Sequence, residues 1–455
     1  MNTVLISCYD LGRQPFGLAE PAAWLRRAGF GVRCLDLSVE EIDEAAIRAA
    51  DLIAFHVPMH TATRMAVALL PRIRQLNQRA DLCFYGLYAA VRPGYFGRRG
   101  VAHLIAGEFE SGLLSLAERI RAGKGSGGMN GSAPAAFLGR QKFLLPDRAL
   151  LPPLTRYARL RHGDRELVTG YVEASRGCRH LCRHCPVVPV YGGRFRIVDR
   201  EVVLGDIRQQ VAAGARHITF GDPDFFNAPK YSLGIAADLH EQFPGLTYDV
   251  TIKVEHLLRH REHISRLRQT GCLFVTTAVE SLDDRVLSIL DKGHSRSDFL
   301  ELVRVFEREG LVLSPTFIPF TPWTTLTGYR DLLRTLDGLR LTGHVAPIQL
   351  AIRLLVPPGS LLLERPEVRC VIDPVDEEKL VHPWRNPDPR VDQLQRRIEA
   401  IVSGGEEESR DRKSVFGEIW KAAAGAGGEV DPAVLDTPEA LPAVAVPYLT
   451  EPWYC

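Results

Sequence analysis

The chain has 455 residues, 45% of them hydrophobic and 24% charged, with a formal net charge of +1. This is too long for one ordinary core and fits roughly two to three domains, ample for an enzyme. The near-neutral balance gives no electrostatic support for a nucleic-acid or anionic-membrane partner, no apolar run reaches bilayer length, and nine mostly scattered cysteines do not read as a disulfide framework.

The amino terminus, MNTVLISCYDLG, lacks the basic region and cleavage site of a secretory signal, so a cytoplasmic protein with free or metal-bound thiols is expected. Residues 1–122 alternate short apolar runs (TVLISC, VRCLDLS, LIAFHVP, LCFYGLY, HLIAGE) with helical patterns such as LAEPAAWLRRAG and MAVALLPRIRQLN. That alternation predicts a doubly wound parallel sheet with helices on both faces. GKGSGGMNGSAP then opens a linker, taken here as residues 123–165.

A second series covers 166–358, with candidate strands in VTGYVEAS, HITFGD, TYDVTIKV, CLFVTTAVE, LVLSPTFIPF and PIQLAIRLLVP. Helical segments between them, many ending in Gly, make six strand-helix units, which predicts a partial barrel. In such α/β folds ligands sit at the carboxyl ends of the strands. Residues 359–455 read as a carboxyl-terminal extension: SGGEEESRDRKS is expected to be a solvated loop, and the apolar, aromatic tail PAVAVPYLTEPWYC to dock back onto the protein.

The chemistry concentrates in EASRGCRHLCRHCPVVPVYGGRFR, where Cys178, Cys182 and Cys185 follow the first barrel strand at CxxxCxxC spacing. Three thiolates from one loop leave one iron of a 4Fe-4S cube without a protein ligand. A zinc site built from the same thiols plus His180 or His184 is the alternative. The motif and its setting resemble the radical S-adenosylmethionine (radical SAM) superfamily, which implies a 4Fe-4S cluster, S-adenosylmethionine as second cofactor, an electron donor such as flavodoxin or ferredoxin, and a substrate that the sequence does not identify.

The resemblance also implies roles further along. Gly221, Asp222 and Asp224 in FGDPDFFN stand where the family binds the methionine amino group, in place of its usual Gly-Gly-Glu, although a turn with a helix cap uses the same residues. Glu280 and Ser281 in AVES stand where members contact ribose or the methionine carboxylate, and Ser281 serves equally as a helix cap. Lys253 in TIKVE and Arg353 in AIRLL lie in candidate strands, where a cation holds either a carboxylate at the barrel mouth or a structural ion pair.

The first domain resembles the cobalamin-binding domain of related enzymes. The loop after its first strand, YDLGRQPFG, keeps Asp10 and Gly12 of the usual Asp-x-His-x-x-Gly but has no histidine to ligate cobalt, and His56 and His60 are the nearest substitutes. Either cobalamin is held without a protein ligand to cobalt, or the domain serves as a substrate-binding or docking module. GEFES resembles the Gly-Glu turn that ends this domain. The opening ISCYDLGRQPFGLAEPAAWLRRAGF, PDRALLPPLTRYARL and the final EPWYC resemble a subgroup whose tail reads Cys-Sec-Ala-Glu-Pro or Cys-Cys-Ala-Glu-Pro. That implies a selenoprotein truncated at a UGA codon after Cys455, with Cys455 as a redox or substrate-facing residue. The functional expectation is a radical SAM enzyme that forms a 5'-deoxyadenosyl radical. A cobalamin-dependent methyltransferase is the alternative, and a metal-stabilised scaffold the alternative of another class.

Overall fold

The computed structural model describes residues 1–124, 138–408, 410–426 and 446–451. Its first sheet has five parallel strands, β1 (Asn2–Ser7), β2 (Gly31–Asp36), β3 (Leu52–His56), β4 (Asp81–Tyr85) and β5 (His103–Ile105), in the order β2-β1-β3-β4-β5. Successive side chains of a strand face opposite sides, so Val4 and Ile6 enter one core while Leu5 enters the other. Helices Glu44–Ala49 and His60–Leu76 bring Ile47, Ala66, Leu70 and Ile73 to the first core; Phe16–Arg27 and Glu110–Arg121 bring Leu18, Leu25, Leu113 and Leu116 to the second. Both faces are covered, which is why these strands read as nearly continuous apolar runs.

The second sheet begins with an antiparallel hairpin, β6 (Arg159–His162) and β7 (Arg165–Val172). A short antiparallel pair, β8 (Ser175–Gly177) and β9 (Phe195–Ile197), brackets the cysteine loop. The parallel strands β10 (His217–Phe220), β11 (Thr247–Thr251), β12 (Cys272–Glu280) and β13 (Val312–Phe317) then extend from β7. With β14 (Tyr448–Leu449) added to β6, the order is β13-β12-β11-β10-β7-β6-β14. Ile218, Val250, Val275 and Leu313 of this curled sheet share a core with Ile207, Leu239, Leu267 and Phe306 of the covering helices.

The sixth unit of the half-barrel is rudimentary. PIQLAIRLLVP forms a 3-10 turn at Pro347–Leu350 and a single parallel bridge from Arg353 to Phe320, between prolines at 347 and 357 that interrupt a ladder. The solvated loop expected at SGGEEESRDRKS is corrected by the structure. Helix Pro389–Glu407 runs into it and helix Arg412–Gly425 leaves it, capped by Asp411, whose carboxylate accepts from the Ser414 amide at 3.0 Å. Val402, Val415 and Ile419 are buried there, and that packing outweighs a polar, Gly-containing composition. Within the tail, Tyr448 and Leu449 do dock, opposite Arg161 and Leu160. Most of GKGSGGMNGSAP lies outside the described residues.

Candidate metal centre at the barrel mouth

The cysteine loop leaves β8 at Gly177, whose φ of +73° is left-handed and whose Cβ, were there one, would lie 2.5 Å from the Arg194 carbonyl oxygen. Only glycine makes that turn without strain. The loop is then pinned from two sides. Asn227 Oδ1 accepts from the Arg179 amide at 3.2 Å, and Arg183 donates to the carbonyls of Ser288 and Ile289 at 3.0 and 2.9 Å. Cys178 and Cys182 are buried and Cys185 partly so.

Burial pushes the Cys185 thiol up to about 12 and raises that of Cys178, so without metal these two thiols stay protonated. Two ammonium groups are ready to offset thiolate charge. Lys253 Nζ stands 3.5 Å from Cys182 Sγ. Lys292 is buried; burial opposes its charge, but Glu280 and then Cys182 hold it protonated, above the usual lysine range. A loop with three spaced thiols and two adjacent cations fits an iron-sulfur cluster better than one zinc ion.

Glu280 ends β12 at φ +68°, a strained backbone for a non-glycine residue, beside a register shift in the β12–β13 ladder. Its Oε1 meets Lys292 Nζ at 3.2 Å and His184 Nε2 at 3.1 Å. Burial alone would raise this carboxyl, yet Lys292 and His184 pull it down to about 2. Ser281 Oγ accepts from the Asp283 amide at 3.0 Å, a local turn contact. Gly221 lies beneath the Tyr171 phenol, where a Cβ would come 1.8 Å from the hydroxyl oxygen. Asp222 accepts from the Ala174 amide at 2.9 Å and from the Ser175 hydroxyl at 2.5 Å, which ties β10 to the start of the cysteine loop. Asp224 faces His180 and His256.

The structure therefore brings Lys253, Glu280 and the Gly221–Asp224 segment to the cysteine loop. Arg353 is engaged elsewhere, by Asp392 Oδ1 at 2.7 Å and the Trp384 carbonyl at 3.1 Å. Cys455 lies outside the described residues. Reading the sequence did not single out Lys292, His256 or Arg176. The Arg176 guanidinium, two residues before Cys178, contacts Glu20 and reaches Glu108 at 3.2 Å, Glu110 at 2.5 Å and Glu173 at 2.7 Å. It thus locks the GEFES turn of the first domain to the strand that launches the cysteines.

Two cavities adjoin these elements. One of about 150 Å³ lies between Tyr88 of the first domain, His184 and Cys185 of the loop, and Pro357–Ser360. Another, of about 680 Å³, occupies the half-barrel lumen, lined by Asp249, Thr276, Ser314 and Thr316 and walled by Tyr448 and Arg412. Its lining includes none of the three cysteines.

Residues 172–332 match the family model described as the Radical SAM superfamily. The chain carries a radical SAM domain. Among curated relatives, the tRNA-2-methylthio-N(6)-dimethylallyladenosine synthase of Chlorobium luteolum is 28% identical, over 44% of this chain and 43% of that protein. The hopanoid C-3 methylase of Methylococcus capsulatus is 24% identical, over 68% of this chain and 62% of that one. The chain spans less than two thirds of the length of either. Two solved structures share the fold beyond the radical SAM domain. The cobalamin-dependent S-adenosylmethionine radical enzyme OxsB, with aqua-cobalamin and S-adenosylmethionine bound, aligns with TM-score 0.67 at 13% identity, over 93% of this chain and 71% of that one. The radical S-adenosylmethionine methyltransferase TsrM from Kitasatospora setae, with cobalamin and a [4Fe-4S] cluster bound, aligns with TM-score 0.57 at 17% identity, over 74% and 70%. Among the described residues no helix is long and apolar enough to cross a membrane.

Proposed function

We propose that this chain is a radical SAM enzyme that reductively cleaves S-adenosylmethionine and directs the resulting 5'-deoxyadenosyl radical at a substrate. The observation that carries the reading is the cysteine loop at the barrel mouth, with Lys253 beside Cys182 and Lys292 beside Glu280. When bound, a 4Fe-4S cluster supplies the electron that breaks the sulfonium carbon-sulfur bond. Cys178, Cys182 and Cys185 would hold it. Lys253 and Lys292 offset the thiolate charge, and burial of the loop limits access of water. The backbone of Gly221–Asp224 would receive the methionine amino group, since the Asp222 and Asp224 side chains already have other neighbours. Glu280 and Ser281 would face the ribose and methionine carboxylate. A small reductant such as flavodoxin or ferredoxin would deliver the electron in the cytoplasm.

Anaerobic reconstitution tests this. About four irons per chain, 5'-deoxyadenosine formed from S-adenosylmethionine under reduction, and loss of both in Cys182→Ala are expected. Stoichiometric zinc with no iron would return the chain to the class of metal-stabilised scaffolds.

A second reading, cobalamin-dependent methyl transfer, is favoured by the β2-β1-β3-β4-β5 order of the first sheet, whose turns face the cysteine loop across Tyr88. In this reading cobalt has no protein imidazole. The His56 ring is enclosed by Gly17 and Gly86, and His60 Nε2 is 2.6 Å from the Lys379 carbonyl. Cobalt analysis after production with cobalamin separates the two readings. A nitrogen hyperfine signal from either histidine would refute the imidazole-free form.

A further inference from the structure

We propose that His180, Asp224 and His256 form a second metal site, for one divalent first-row transition ion, beside the cysteine loop. The donors come from three elements that only the fold brings together. His180 lies between Cys178 and Cys182, Asp224 follows β10, and His256 sits in the first turn of helix Val254–Arg259 after β11. His180 Nε2 is 3.2 Å and His256 Nδ1 is 2.8 Å from Asp224 Oδ2, the three atoms lie within 4.8 Å of one another, and the ring centroids are 4.4 Å apart.

At such distances hydrogen bonds would be expected, yet none of the three atoms has a hydrogen-bond partner of acceptable geometry, although all are buried. The two imidazole nitrogens and the carboxylate oxygen are thus gathered into one small volume, close enough together to share a single ion. Ligands of a tetrahedral zinc ion, bound at about 2.0–2.1 Å, stand about 3.3 Å apart, near the spacing seen here. The other oxygen of Asp224, Oδ1, accepts from the Phe226 amide at 2.9 Å, so the carboxylate is fixed with Oδ2 turned toward the imidazoles. Asp224 is wholly buried and His256 is 4% exposed, so unpaired polar groups would be costly here without a ligand. The second nitrogen of His180 has Glu255 Oε2 at 3.7 Å, a nearby negative charge beyond hydrogen-bond distance.

Two imidazoles and one carboxylate suit Zn²⁺, Fe²⁺ or Co²⁺ and not the oxygen-seeking Mg²⁺ or Ca²⁺. Three protein ligands also leave a position for water or substrate. An ion here would staple the cysteine loop to the loops after β10 and β11.

The test uses the full chain with its cluster reconstituted and His260→Ala/His263→Ala introduced to remove a neighbouring surface group. The probe is Co²⁺. One cobalt per chain is expected beyond the cluster iron, with ligand-field bands and an X-ray absorption spectrum fitted by nitrogen and oxygen alone. Asp224→Asn and His256→Ala should each weaken Co²⁺ binding at least tenfold while leaving the iron content unchanged. Sulfur in the cobalt shell, binding indifferent to Asp224→Asn, or no cobalt above buffer would each overturn the proposal. If either variant fails to fold, the absorption spectrum of the otherwise unaltered protein decides alone: imidazole scattering supports the site, and its absence ends it.

Discussion

Arg176→Met isolates the charge that joins the two domains. The methionine keeps an unbranched stem among Phe16, Phe109 and Phe143, whose ring centroids lie 5.1–5.4 Å from the guanidinium carbon. It removes the partner of Glu20, Glu108 and Glu110, each at most 1% exposed, while Arg176 itself is 6% exposed. Breaking a buried ion pair by deleting one side costs about 3–5 kcal/mol, which corresponds to about two to four powers of ten in the population with the interface opened. Hydrogen exchange of β1 and helix Phe16–Arg27 in the full-length protein reads that population directly. Adding Glu110→Gln to Arg176→Met should recover part of the loss, because one stranded carboxylate is gone. An exchange profile within about 1 kcal/mol of the parent would refute the claim that this cluster holds the domains together.

His56 gives a pH-dependent expectation. Burial, then Arg176, lowers its folded-state value to about 3 from an ordinary 6.5, so the fold holds the ring neutral. Its stabilising contribution is full above pH 6.5 and is lost as the pH falls toward 3. At pH 5 the loss is about 2 kcal/mol, and His56→Gln should flatten that acid limb in urea titrations at several pH values. Lys253→Met removes a cation beside Cys182, so the cluster should become harder to reduce, by about 60 mV for each 1.4 kcal/mol of lost interaction. Redox titration followed by electron paramagnetic resonance measures it, and an unchanged or higher potential would contradict the contact.

Much of the fold was legible because strands buried on both faces announce themselves as apolar runs, and the CxxxCxxC loop because its ligands are local. The rest depended on long-range pairing. Lys292 lies in an Asp-Lys-Gly turn that looks like any solvated helix end, and only the position of β12 sets it against Glu280. Arg176 and Glu110 are separated by 66 residues, with no periodicity to connect them. The sixth barrel segment was over-read because an apolar run bounded by prolines does not say whether it pairs. The helical ends of SGGEEESRDRKS are not visible in its composition, because the residues that anchor them, Val402 before it and Val415 after it, are buried only by tertiary contacts.

The pairing of β14 with β6 means that one edge of the barrel sheet is finished by residues 448–449, almost 300 residues after the strand they cover. During synthesis on the ribosome, that edge and the lumen wall formed by Tyr448 stay open until residues 448–449 have emerged. An unpaired strand edge is a template for pairing with other chains. A nascent chain that has not reached residue 446 therefore carries β6 without this partner, and the edge is then guarded by the strand's own Arg159, Arg161 and His162.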